Sequence, residues 1–150
     1  MRRQDVHSVY IHDIVVIKLE RLILFNEYQN KIPLPSRPPF TDNMVIIAGW
    51  GVTENVQAGV TSTYLKKLPG SVLNYTDCNN FIPLVISNNK FCTYHSLGKG
   101  VCSGDAGGSV TSNGELYGII LFSFDCVQDV PDIHTTVYYY LDFIRTHMIE

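Results

Sequence analysis

Short apolar or alternating runs recur along this chain between turn signals, at lengths that suit strands better than helices. Ile14–Leu19 is β-branched and bounded by polar residues. Met44–Ala48 runs into Gly49-Trp50-Gly51, Thr63–Leu68 stops at Pro69-Gly70, Glu115–Phe124 follows Asn113-Gly114, and Thr135–Tyr139 is a fifth candidate. Asn-Gly between two such runs is a hairpin signal, because both residues tolerate positive φ. The spacing reads as an all-β fold, an antiparallel barrel or sandwich. Two helices interrupt it. Tyr75–Phe81 has Asn74 before it as an N-cap. After Thr136, residues Val137, Tyr140, Leu141, Ile144 and Met148 recur at helical spacing. Lys31–Asp42 holds four of the seven prolines and reads as a surface connector.

A chain of 150 residues, 45% apolar and 17% charged, suits one globular domain. With net charge −3 and no block of Lys or Arg, neither nucleic acid nor an anionic membrane is expected as a partner. Lys18, Glu20 and Arg21 break Ile14–Phe25, so that stretch is no membrane span. Cys78, Cys92, Cys102 and Cys126 form an even set that fits two disulfides and an oxidising compartment. Cys92 and His95 have a metal-like C-x-x-H spacing, but no second pair follows, so neither metal nor cofactor is expected. Gly98-Lys99-Gly100 lacks the hydroxyl and spacing of a phosphate loop. No export signal is visible after Met1-Arg2-Arg3. A truncated start would reconcile that with the cysteines.

The most informative stretch is Gly100-Val101-Cys102-Ser103-Gly104-Asp105-Ala106-Gly107-Gly108. It resembles the nucleophile loop of trypsin-like serine proteases (the chymotrypsin family, peptidase S1), which reads G-D-S-G-G after a cysteine. Ala106 stands at the serine position, and a methyl group cannot attack a carbonyl. Other matches follow in the family's order. His12-Asp13-Ile14-Val15-Val16-Ile17-Lys18-Leu19 resembles N-D-I-A-L-I-K-L. Leu24-Phe25-Asn26 and Ile32-Pro33-Leu34-Pro35 resemble the segment after it. Ala48-Gly49-Trp50-Gly51 resembles S-G-W-G, and Pro131-Asp132-Ile133-His134 resembles P-G-V-Y. The resemblance implies disulfides Cys78–Cys92 and Cys102–Cys126. A further family disulfide is missing from both ends, where Val45 and Ser112 stand.

For the fold, the resemblance implies the second, six-stranded antiparallel barrel of a double-barrel domain, with the last strand of the first barrel and a C-terminal helix. On this reading residues 1–30 are a remnant of the first barrel, 31–43 the crossover, 44–136 the second barrel and 137–150 the helix. The family's amino-terminal Ile-Val-Gly-Gly and its T-A-A-H-C histidine motif are absent, so the homologue reads as N-terminally truncated. Strand Ile14–Leu19 is then expected to face water or another chain. Self-association is expected to follow, and deleting Met1–Leu19 to improve solubility.

Site roles also come from the resemblance. Asp13 matches the aspartate that orients the catalytic histidine; the plainer reading is a polar residue opening a strand. The amides of Gly104 and Ala106 match the oxyanion hole, while Gly107 and Gly108 serve a tight backbone path. Asp105 matches the acid that pairs with a freed amino terminus. Without that cation it is expected to be protonated or to leave its loop disordered. Gly100, Leu121, Phe122, Ser123 and Asp132 match substrate-pocket positions. Asp132 either keeps a negative charge there, compatible with a basic side chain, or is a loop acid without that role. Asn74-Tyr75-Thr76 is a glycosylation sequon competing with the cap at Asn74.

The function read from these residues is a catalytically inactive serine protease homologue, a binding or decoy module for a peptide, a protease or an inhibitor protein. The alternative is a truncated form of a trypsin-like serine endopeptidase. Family and cysteines together imply an extracellular location.

Overall fold

A computed structural model describes residues 12–53, 59–82, 86–123, 126 and 130–148. Six strands close into one antiparallel barrel: β1 (Met44–Gly49), β2 (Lys66–Val72), β3 (Lys90–Tyr94), β4 (Ser109–Ser112), β5 (Glu115–Phe122) and β6 (Asp132–Thr136). Around the barrel the order is β1-β2-β3-β6-β5-β4, so each strand has a neighbour on both sides. The β4–β5 turn is the expected hairpin, with Asn113 at φ 49 and Gly114 at φ 78. Helix α1 (Tyr75–Phe81) starts where expected: Asn74 Oδ1 accepts from the Asp77 amide at 2.8 Å. A 3-10 turn (Tyr138–Tyr140) leads into α2 (Leu141–Met148).

Three strand expectations need correction. Thr135–Tyr139 is displaced: β6 ends at Thr136, and Tyr138 already lies in the 3-10 turn. Pro69-Gly70 does not end a strand, since β2 runs through it to Val72. Between Lys66 and Gly70 the strand is paired only with β1, and β3 joins at Ser71, so a proline without an N–H fits the free side. Ile14–Leu19 is extended but joins no ladder, so no last strand of a first barrel is formed by the described residues.

That segment nevertheless alternates. Ile14 and Val16 pack on the cluster of Val137, Tyr140 and Ile144, while Val15 and Ile17 are 72% and 74% exposed. The Asp13 carbonyl accepts from Thr135 Oγ1 at 3.0 Å, and His12 Nδ1 lies 2.9 Å from the Tyr140 hydroxyl. Two of the six residues are therefore covered by the C-terminal segment, contrary to the expectation that all of it faces outward.

The core has two further parts. Val45, Ile47, Val72, Phe91, Val101, Val110 and Ile120 fill the barrel. Cys78, Ile82, Ile86, Cys92, Leu121 and Ile133 pack outside it under α1. Both disulfides form as the resemblance implies: Cys78–Cys92 with Cα atoms 5.9 Å apart and Cys102–Cys126 at 4.7 Å. The register that pairs Ile46 with Thr111 sets Val45 opposite Ser112 one step on. In place of a disulfide, Ser112 Oγ donates to the Met44 carbonyl and accepts from Asn43 Nδ2, each at 2.7 Å.

Candidate functional site

The loop 100–108 is built against the strand end Ala48-Gly49-Trp50-Gly51. Asp105 is its fastener. Its Oδ1 accepts from the Gly51 amide at 2.7 Å and its Oδ2 from the Cys102 amide at 2.9 Å. A β-carbon at Gly49 or Gly51 would overlap the carboxylate, so the two glycines form its cradle. The Val52 amide donates to the Ser103 carbonyl, and the Gly108 amide to the Asp105 carbonyl. Gly108 sits so close to β1 that a β-carbon there would lie 2.6 Å from the Ala48 carbonyl oxygen.

The Asp105 side chain, expected to lack its amino-terminal partner, is met by two peptide N–H groups.

Ala106 is exposed at the apex, between Asp105 and the positive-φ Gly107. Gly107 and Gly108 are clamped to β5 through Ile120, whose carbonyl accepts from Gly107 and whose amide donates to Gly108. Gly104, at φ 92, is exposed beside Ala106. The apex thus carries the Ala106 methyl group on a backbone fixed through Gly107 and Gly108, and Ala106 itself has no hydroxyl or thiol.

Asp13 is exposed and fixed through its main chain. Among the described residues no imidazole pairs with its carboxylate: His12 bonds Tyr140, His147 bonds the Phe143 carbonyl, and His95 and His134 lie inside the barrel. Leu121 and Phe122 pack with the Cys78–Cys92 cluster, and Ser123 is half-buried at the end of β5. Asn74 is committed to its cap on both sides, since its Nδ2 also donates to Asp77 Oδ2 at 2.7 Å. Cys92 is in a disulfide and both ring nitrogens of His95 face protein oxygens, so the C-x-x-H pair is engaged within the fold.

Sequence reading gave no site role to Thr93 or His134 and weighed His95 only as half of a metal-like pair. They share the barrel interior with Asp132. Asp132 is 1% exposed; its Oδ2 accepts from the Val101 amide at 2.9 Å and lies 3.3 Å from His95 Nε2. Both of its oxygens lie 3.4 Å from where a Gly100 β-carbon would stand. Thr93 Oγ1 is 3.2 Å from His95 Nε2 and 2.7 Å from His134 Nε2. Burial, only partly offset by Asp132, pushes His134 down to about 3. The available signal was period-two alternation: Phe91, Thr93 and His95, then Asp132 and His134, each fall on one strand face.

Comparison with known proteins gives the family. The Trypsin family profile matches residues 2–144. Trypsin-2 of Salmo salar is 33% identical over 91% of this chain and 59% of its own length. Serine protease 1 of Homo sapiens is 35% identical over 89% of this chain and 55% of its own. Among solved structures, neuropsin, a serine protease expressed in the limbic system of mouse brain, superposes with a TM-score of 0.81 at 23% identity. That match covers 88% of this chain and 60% of neuropsin. The chain belongs to the trypsin family, and it spans little more than half the length of these relatives.

Proposed function

We propose that this chain is a catalytically silent member of the trypsin family that acts by binding. The observation that carries this reading is the side chain at Ala106. The loop around it keeps its fastener, its disulfide and its paired amides, while the apex has no nucleophile and Asp13 holds no described imidazole. Donors such as the Gly104 and Ala106 amides accelerate acyl transfer only where an oxyanion forms. Without one they can hold the carbonyl of a bound peptide or of an inhibitor's loop. The family and the two disulfides support an extracellular setting.

Two measurements on the purified chain test this. A fluorophosphonate probe should leave it unlabelled, and an immobilised protein inhibitor of trypsin-like proteases should retain it. Stoichiometric labelling would overturn the silence; failure to bind any such inhibitor or peptide would overturn the binding role.

A second reading is supported by length. Because the chain spans 55–60% of its relatives, it is also compatible with being part of a longer endopeptidase. That reading still lacks a nucleophile at Ala106. The exposed Val15, Ile17 and Leu19 support self-association, which sedimentation of the chain over a concentration series would reveal.

A further inference from the structure

Away from the Ala106 loop, the structure holds a cavity of about 350 Å³, within the size range of small-ligand pockets. Its origin lies in the strand pairing. β3 is paired to β2 only at Ser71 and Val72, after which β2 gives way to α1. The connector segment Pro38-Pro39-Phe40-Thr41 covers the resulting gap without filling it. The walls are held in place. The Asp42 amide donates to the Val72 carbonyl at 2.9 Å, the Leu73 amide donates to the Cys92 carbonyl at 3.0 Å, and the Cys78–Cys92 disulfide ties α1 to β3. Two prolines stiffen the cover.

Phe40, Leu73, Ile86 and Phe91 give the cavity its apolar surface. Lys90 is the only charged side chain among its described lining residues, in a chain of net charge −3. Its ammonium donates to Asn89 Oδ1 at 3.3 Å, which uses one of its three protons. Burial lowers the Lys90 pKa from the ordinary lysine value, against a smaller pull from Asp13. An anion placed beside it would make up for that lost solvation. Arg37 stacks over the Phe40 ring, 4.5 Å from its centre, and brings a second positive charge next to this wall. Thr136 also lines the cavity, and its Oγ1 is buried without a partner among the described residues. Such a hydroxyl is costly until something pairs with it.

We propose that this cavity is a binding site for a small aromatic carboxylate, whose ring lies among Phe40, Leu73, Ile86 and Phe91 and whose anionic group is met by the Lys90 ammonium. The Thr136 hydroxyl is a second polar anchor. The space holds roughly a dozen water-sized groups, which suits a one- or two-ring acid and not a long acyl chain. A neutral ring leaves Lys90 unanswered, and a cation is repelled by it.

The test uses the whole chain and two isosteric probes, 2-naphthoate and neutral 2-naphthamide, titrated by calorimetry at pH 7. The carboxylate should bind at least about tenfold more tightly than the amide. Lys90→Met should abolish that preference and leave the amide's affinity unchanged. Thr41→Trp, which fills the cavity from its exposed cover, should remove binding of both. Nuclear Overhauser contacts between naphthoate and the Leu73 and Ile86 methyl groups of the unaltered chain locate the ligand without any variant, so the proposal stays testable if a variant fails to fold. It is overturned by no binding of either probe, by equal affinity for the two, or by the absence of those methyl contacts. A preference that survives in folded Lys90→Met, or naphthoate binding undiminished in folded Thr41→Trp, overturns it equally. None of these readouts involves residues 100–108, so the outcome is separate from that of the binding reading above.

Discussion

The Asp105 carboxylate occupies the space that a β-carbon on Gly49 would need, and its Oδ1 takes the amide of the next glycine, Gly51, at 2.7 Å. Two distant pieces of sequence are therefore interlocked: the strand end can carry no side chain where the loop's acid sits. Gly49→Ala should displace the carboxylate and cost about 2–3 kcal/mol, typical of forcing an atom into a packed, hydrogen-bonded site. Urea denaturation measures it, and a loss below about 0.5 kcal/mol would show that the loop does not depend on the cradle.

Restoring the hydroxyl alone should not restore chemistry. An Ala106→Ser chain gains a nucleophile but no base, because Asp13 meets no imidazole among the described residues. Loss of one triad member already removes most of the rate, on the order of a million-fold below an intact triad. Hydrolysis of a peptide anilide by this variant should stay at background, and a clear burst of product would show that an unrecognised base serves the loop.

Acid should weaken the barrel through His134. Its folded value of about 3 lies below the ordinary 6.5, so the unfolded chain takes up a proton that the folded barrel refuses. Above pH 6.5 neither state binds it and the neutral ring costs nothing. As pH falls from 6.5 toward 3 the unfolded state is progressively favoured, by up to roughly 5 kcal/mol. Denaturation midpoints between pH 7 and 4 should drop steeply for the native chain and less steeply for His134→Gln. Parallel profiles would assign the acid sensitivity elsewhere.

Deleting Met1–Leu19 was expected from sequence to help solubility. The packing of Ile14 and Val16 on Val137, Tyr140 and Ile144 sets a stability cost against that expected gain. The double change Ile14→Ala/Val16→Ala should cost about 2 kcal/mol, since both side chains are only partly buried. The deletion should lower the melting temperature further. A deletion chain that melts higher than the intact one would show that this packing does not stabilise the barrel.

What could be read from the sequence was local. Asn113-Gly114 announced its hairpin because positive φ is written into those residue types, and Asn74 announced a helix start by its cap chemistry. The loop around Ala106 was legible as a string, and the resemblance carried the disulfides. Strands β3 and β4 escaped because they are short and carry Thr and Ser on their buried faces. Pro69-Gly70 was misread because a turn signal does not reveal that one strand edge is unpaired, or that an imidazole lies against the glycine. The His95–Asp132 pairing depends on the β3–β6 register, which no local pattern encodes.

The order of strands around the barrel also sets when this protein can fold during its synthesis. β6 alone joins β3 to β5, and β1 closes on β4 through residues 65 positions apart, Ile46 and Thr111. The growing chain can make the β1–β2 and β4–β5 hairpins early, but the ring stays open until Thr136 has left the ribosome. Closure by such distant segments is slow. Through that interval the aliphatic lining of the unclosed barrel and four reduced cysteines are exposed together. The nascent chain is thus most exposed to aggregation and mispaired disulfides just before its last strand arrives.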